Sequence, residues 1–193
     1  MFQWRVLFTQ SSSAFDLAKM TKILETERLI LRTWTLDDAP KLFEICGDAD
    51  VMKYLGTGKP YETVEQADEF LRWAEDYQKE NGFCRWAVVL KETQEIIGSC
   101  GFARPHGTEE IELGYLLAKK YWEKGFATEA TRACLQYGFE RLKFNEVIAI
   151  TDLENVASQK VLEKIGFAKR GIEKIDGEDN LIYMSKNLPQ DNS

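Results

Sequence analysis

Residues 111–151 read as strand, tight turn, helix and strand, and that order constrains the chain more than any other stretch. A crossover through a helix normally makes the two strands parallel neighbours. "IELGYLL" (111–117) and "NEVIAIT" (145–151) have strand texture, while the segment 127–142 puts Ala127, Ala130, Cys134, Tyr137 and Leu142 near one helical face. A ligand at the start of that helix would lie beside the carboxyl end of the first strand. The helix begins at "KGFAT" (124–128) with no proline and no strong side-chain cap ahead of it. Exposed amides and the positive end of the helix dipole make such a start an anion site, and Gly125 lets phosphate oxygens approach without a Cβ in the way. Ala127 is small, Thr128 offers a hydroxyl, and Lys119, Lys120 and Lys124 surround the turn with positive charge. A plain strand-to-helix turn accounts for a single glycine equally well.

Elsewhere the pattern is local and regular. "RLILR" (28–32) is a short β run. Thr35 with Asp38, and Thr63 with Gln66, have capping-box spacing and predict two helices. The first has Ala39, Leu42, Phe43 and Cys46 on one face; the second has Ala67, Phe70, Leu71, Ala74 and Tyr77, and stops at Asn81-Gly82. "RWAVVLK" (85–91), "IIGSCGFA" (96–103) and "IELGYLL" predict an antiparallel meander. "NVASQKVLEKIGF" (155–167) predicts a helix ended by Gly166, followed by strands at "FAKRGIEK" and "NLIYMSK". Along 111–117, Glu112 and Tyr115 are expected to share one face, with Leu113 on the other.

The 193 residues suit one domain. Residues 1–20 differ in texture and form an N-terminal extension, leaving 21–193 as the domain proper. A translation start at Met20, a docking arm and a weak targeting sequence are open readings of the extension. No apolar run approaches the ~18 residues of a membrane span, so no membrane partner is expected. A net charge of −7 disfavours direct nucleic-acid binding and suits amine-bearing partners. Cys46, Cys84, Cys100 and Cys134 lack ligand spacing and read as buried thiols of a reducing, cytoplasmic protein. His106, the only histidine, reads as a turn residue, which argues against a histidine triad and a multi-histidine metal site. Neither a GxxxxGK phosphate loop nor a GxGxxG fingerprint is present.

"ETERLILR", "IELGYLLAKKYWEKGFATEA" and "NVASQKVLEKIGF", taken in order, resemble the GNAT superfamily of N-acetyltransferases, in particular its RimJ/RimL-type branch, over roughly residues 25–188. The resemblance implies a mixed α/β (α+β) fold. Its twisted, mostly antiparallel sheet would have about seven strands, helices on both faces and two splayed parallel central strands. It further implies acetyl-CoA in the gap and direct acetyl transfer to an amine, without a metal. The superfamily pattern of Gln or Arg, two residues, Gly, one residue, then Gly or Ala falls on "WEKGFA". Trp122 stands where Gln or Arg is usual, an aromatic common in the RimJ/RimL-type branch. This transfers phosphate contact to main-chain amides and to Lys124 or Lys119. By resemblance, Lys124, Gly125, Phe126, Ala127 and Thr128 contact the pyrophosphate, which would satisfy the amides of the uncapped helix.

The same resemblance lays the backbone of Leu113, Gly114, Tyr115 and Leu116 along the pantetheine arm. Acetyl transfer needs a base for the amine, donors for the developing oxyanion and a proton for the departing thiolate. Glu112 is the candidate base, directly or through water; a solvent-facing salt bridge is the equal alternative. Asn155 has the position of an N-cap and, by resemblance, also faces the cofactor; Ser158 is the candidate proton donor to sulfur. Trp34, Tyr54, Tyr61, Trp73 and Trp86 are candidates for the acceptor cleft, and "GDADV" (47–51) and "TEEIE" (108–112) for attracting a cationic amine. The expected acceptor is a protein N-terminal amine, such as that of a ribosomal protein. Polyamines, aminoglycosides and other small amines are alternatives, as is a noncatalytic acyl-CoA sensor, with a monomer or homodimer in each case.

Overall fold

Strand alternation sorts the apolar side chains onto two cores, one on each face of a single sheet. The computed structural model describes residues 20–105, 108–175 and 177–187. Residues 1–19 of the extension and the expected turn at His106 lie outside the described residues. The strands are β1 (Lys22–Glu25), β2 (Leu29–Arg32), β3 (Arg85–Leu90), β4 (Ile96–Ala103), β5 (Glu112–Leu117), β6 (Glu146–Asp152), β7 (Ala168–Ile175) and β8 (Glu178–Lys186). They lie in the order β1-β2-β3-β4-β5-β6-β8-β7, and every neighbouring pair is antiparallel apart from β5 and β6. Among the described residues the sheet thus has eight strands where about seven are expected. The addition is β1, whose "KILE" is too short to show a period and which pairs with β2 across a bulge between Lys22 and Leu24.

Helices α1 (Ala39–Cys46), α2 (Ala49–Met52) and α3 (Val64–Asn81) cover one face; α4 (Phe126–Glu140) and α5 (Val156–Lys164) accompany the other core. Both expected capping boxes are present, Thr35 with Asp38 and Thr63 with Gln66. Gly82 ends α3 in the left-handed region at φ 78°, a conformation that favours glycine. On the α1–α3 side, Leu42, Ile45, Leu71 and Ala74 pack on Ala87, Val89 and Ile96. On the other side, Phe126, Ala130, Cys134 and Leu162 pack on Trp86, Val88, Phe102, Leu113 and Val147. Trp86 is fully buried in this second core, with Nε1 donating to Gln78 Oε1 at 2.8 Å, and so is not a cleft residue.

The four cysteines are buried free thiols, and burial pushes Cys46 and Cys84 up to about 12. Cys100 and Cys134 lie 3.5 Å apart, sulfur to sulfur, between β4 and α4. Among the described residues no helix is long and apolar enough to cross a membrane.

One correction concerns β5. Leu113 and Leu117 belong to the α4 core and Tyr115 packs against it, whereas Leu116 packs on the α1–α3 core. Glu112 and Tyr115 therefore face opposite sides, because three positions along an unbulged strand reverse the direction of the side chain.

The segment before α4 is tied to α1 and the β3–β4 turn through Glu95. Its carboxylate accepts from Lys120 Nζ at 2.7 Å, Lys41 Nζ at 2.7 Å and Tyr121 Oη at 2.6 Å. These bonds, led by that from Lys120, hold the Glu95 carboxyl down to about 2. A carboxyl depressed below its unfolded value of about 4.3 stabilises the fold above that pH and loses the contribution as pH falls toward the folded value. Glu95→Gln should lower the thermal midpoint near neutrality, and its deficit relative to wild type should narrow from about pH 5 downward. A deficit independent of pH in paired melting curves would contradict the assignment.

Candidate active site

β5 and β6 part almost as soon as they meet. Their pairing is confined to Glu112 opposite Ile148, with the Ile148 amide donating to the Ile111 carbonyl at 2.8 Å. β6 otherwise pairs with β8 along its whole length. On β5 the Ala118 amide bonds Ile97 O at 2.9 Å, so even-numbered residues direct their backbone groups to β4 and odd-numbered ones toward β6. The backbone of Tyr115 thus faces the opening between β5 and β6, along with the Leu113 carbonyl and the Leu117 amide. Gly114 and Leu116 have their backbone groups engaged by β4. At the far end, Trp122 Nε1 donates to the Leu117 carbonyl at 2.7 Å, which gives this aromatic a structural task.

The turn beyond β5 places an uncapped helix start at the mouth of the opening. Gly125, the N-cap of α4, has φ 81° and ψ −2°, with no side-chain cap. The first helical bond runs from the Glu129 amide to the Gly125 carbonyl at 3.0 Å. The amides of Phe126, Ala127 and Thr128 have no acceptor among the described residues. Three adjacent free amides at a helix N-terminus fit an anionic pyrophosphate. Lys124 lies over the Tyr121 ring, Nζ 5.7 Å from its centroid. Lys119 is engaged elsewhere, in an ion pair with Asp50.

The two faces of β5 carry different chemistry. On the α1–α3 side, Glu112 Oε2 accepts from Arg85 Nη2 at 2.8 Å, and the Glu112 side chain is only 16% exposed. On the α4–α5 side, Tyr115 Oη donates to Ser158 Oγ at 3.1 Å. Burial pushes the Tyr115 phenol up to about 12, with the Ser158 bond opposing, so it remains a proton donor at neutral pH. Asn155 caps α5, its Oδ1 accepting from the Ser158 amide at 3.1 Å. The structure therefore brings Tyr115, Asn155 and Ser158 together across the opening and separates them from Glu112 by the thickness of the sheet.

An acetyltransferase (GNAT) domain family model matches residues 28–168. The chain belongs to this family. It is an acetyl-CoA-dependent N-acetyltransferase. The uncharacterized N-acetyltransferase p20 of Bacillus licheniformis is 37% identical over 166 residues, spanning 83% of this chain and 93% of that protein. The crystal structure of a GNAT-family acetyltransferase from Bacillus anthracis is 31% identical, with a TM-score of 0.71 over 84% of this chain and 96% of its own. The ribosomal-protein-S5-alanine acetyltransferase of Vibrio fischeri, at 23% identity, shares the fold, with a TM-score of 0.71 over 85% of this chain and 96% of that one.

Several residues around this GNAT site escaped the sequence reading. Glu129, in the first turn of α4, accepts from Thr26 Oγ1 at 2.5 Å, the Arg28 amide at 3.0 Å and Arg28 Nε at 2.6 Å. Burial alone would raise its carboxyl; the bonds from Thr26 and Arg28 outweigh that and hold it low. Arg28 also donates from Nη1 to the Lys124 carbonyl at 3.1 Å and stacks over Phe126 at 4.3 Å. "TER" and "GFATEA" thus form one clamp, invisible locally because its halves are about a hundred residues apart.

Asp48 caps α2, Asp50 pairs with Lys119, Glu110 with Arg170 and Glu112 with Arg85, so these carboxylates are engaged within the chain. Among the described residues no group of three or more His, Cys, Asp or Glu side chains is placed to hold a metal. Glu129→Ala removes the acceptor of the Thr26 hydroxyl and the Arg28 amide and should destabilise the fold by roughly 1–3 kcal/mol. It should also weaken acetyl-CoA binding, because the turn carrying Gly125 loses its anchor. Chemical denaturation and calorimetry on the same variant check both, and unchanged values would dismiss the clamp.

Proposed function

We propose that this N-acetyltransferase acts on a protein N-terminal amine, using the opening between β5 and β6 as the place where acetyl-CoA and amine meet. The observation that carries the reading is the parting of the two strands beside three α4 amides that have no partner among the described residues. Acetyl-CoA supplies an acyl group already activated as a thioester. Phe126, Ala127 and Thr128, with Gly125 and Lys124, bind its pyrophosphate. Lys119 can join them only by leaving Asp50. The backbone of β5 from Leu113 to Leu116, above all Tyr115, lies along the pantetheine arm, with Asn155 at the opposite lip.

Glu112 receives the proton of the amine on the α1–α3 side, where its partial burial excludes bulk water. Tyr115 and Ser158 hold a proton for sulfur on the other side, Ser158 donating and Tyr115 resupplying it through their hydrogen bond. A protein N-terminus as acceptor is supported by the shared fold with the Vibrio fischeri enzyme. Four buried free thiols support a cytoplasmic setting. We assign residues 21–193 to this single catalytic domain.

Thermal unfolding with saturating acetyl-CoA, with ATP and NAD as controls, tests the cofactor. At ~100 times the dissociation constant the linkage gain is about 2.7 kcal/mol, which should raise the midpoint by roughly 5–10 °C. Gly125→Val should abolish most of that shift, because a β-branched residue resists φ near 80° and crowds the phosphate approach. Glu112→Gln should keep the shift but lower kcat by about 10²–10⁴-fold. Wild-type turnover in that variant would remove Glu112 from the reaction. Peptides with free N-terminal alanine or serine should be acetylated in preference to spermidine or an aminoglycoside; the reverse preference would refute the protein acceptor.

A further inference from the structure

Glu112 is held by a residue whose own placement is costly. Arg85 lies opposite Gly101, which in turn lies opposite Gly114, so the arginine and two glycines form one cross-strand row on the α1–α3 face. A Cβ on Gly114 would fall 2.7 Å from Arg85 Cζ and 2.8 Å from its Nε and Nη2, closer than real side chains approach. A Cβ on Gly101 would meet the Cys84 carbonyl oxygen at 2.2 Å, so this position also stays bare. The guanidinium therefore lies over the bare Gly114 to reach Glu112.

Trp34 Nε1 fixes the same residue by donating to the Arg85 carbonyl at 2.9 Å. Yet Arg85 Nε is buried with no hydrogen-bond partner among the described residues. Buried donors are nearly always paired, and an arginine kept for stability alone would be selected to satisfy this one. What its position does achieve is one directed bond, from Nη2 to Glu112 Oε2 at 2.8 Å. Glu112 Oε1 has no hydrogen-bond partner among the described residues and is left as the oxygen to take a proton.

We propose that Arg85 is the positioning residue of the reaction, fixing the Glu112 carboxylate beside the opening between the strands, and that Gly114 lacks a side chain to admit it. The proton passes from the amine nitrogen to Glu112 Oε1 while Arg85 stays protonated and bonded to Oε2. Arg85 acts only through Glu112. This rests on Glu112 being the base, and the test separates the two statements.

CoA release from acetyl-CoA is followed with a short peptide bearing a free N-terminal serine, with spermidine as second acceptor and water when neither turns over. R85Q should lower kcat at least about tenfold, with the acetyl-CoA dissociation constant by calorimetry unchanged within about twofold. R85K, which keeps the charge, should recover part of the loss. In an E112Q background R85Q should cause no further loss, since both remove the same function. G114A should lower kcat in the wild type and be silent in R85Q. E112Q with wild-type kcat would overturn the base assignment and this proposal with it. An impaired E112Q combined with multiplying losses in the double variant, or with wild-type kcat in R85Q, would overturn the role of Arg85 alone. Should R85Q not fold, R85K replaces it in the cycle and the same non-additivity is required.

Discussion

Everything at this site depends on two parallel strands that hydrogen-bond at one place and then separate. A sheet tolerates such an opening only if each strand is secured on its other edge, and here β4 and β8 do that work. The backbone of Tyr115, the Leu113 carbonyl and the Leu117 amide are then left directed at open space. Buried main-chain donors and acceptors require partners, so the opening is a standing demand for an extended ligand with amide groups of its own.

The helix beyond the opening extends the same logic from strand to dipole. α4 begins without a side-chain cap, and its first turn is secured by Glu129 reaching back to Thr26 and Arg28 at the start of the domain. Trp122 anchors the intervening turn on the Leu117 carbonyl, and Glu95 gathers Lys41, Lys120 and Tyr121. The turn is anchored where it touches protein and unsatisfied where it would touch phosphate.

Much of this was legible in the sequence wherever the signal is local. The capping boxes at Thr35 and Thr63, the stop at Gly82 and the meander of β3, β4 and β5 rest on neighbours a few positions apart. The uncapped start of α4 at Gly125 was equally readable, since a missing cap is a local fact; its left-handed φ was not read. β1 and α2 escaped because four residues carry no period. The Arg85–Glu112 pair and the Glu129 clamp escaped because their partners are far apart in sequence, and no spacing rule links a strand arginine to a glycine two strands away. The expected shared face of Glu112 and Tyr115 failed on strand parity alone.

That opposite placement has a topological consequence. The sheet is a partition one backbone thick, with a single slot in it. In the proposed mechanism the thioester substrate enters from one chamber, with its pantetheine arm in the slot, and the amine reaches the acyl carbon from the other. Neither substrate must leave for the other to bind, so the two chambers can diverge independently in evolution. The α1–α3 wall can be rebuilt for a new acceptor while the α4 wall continues to recognise the same carrier.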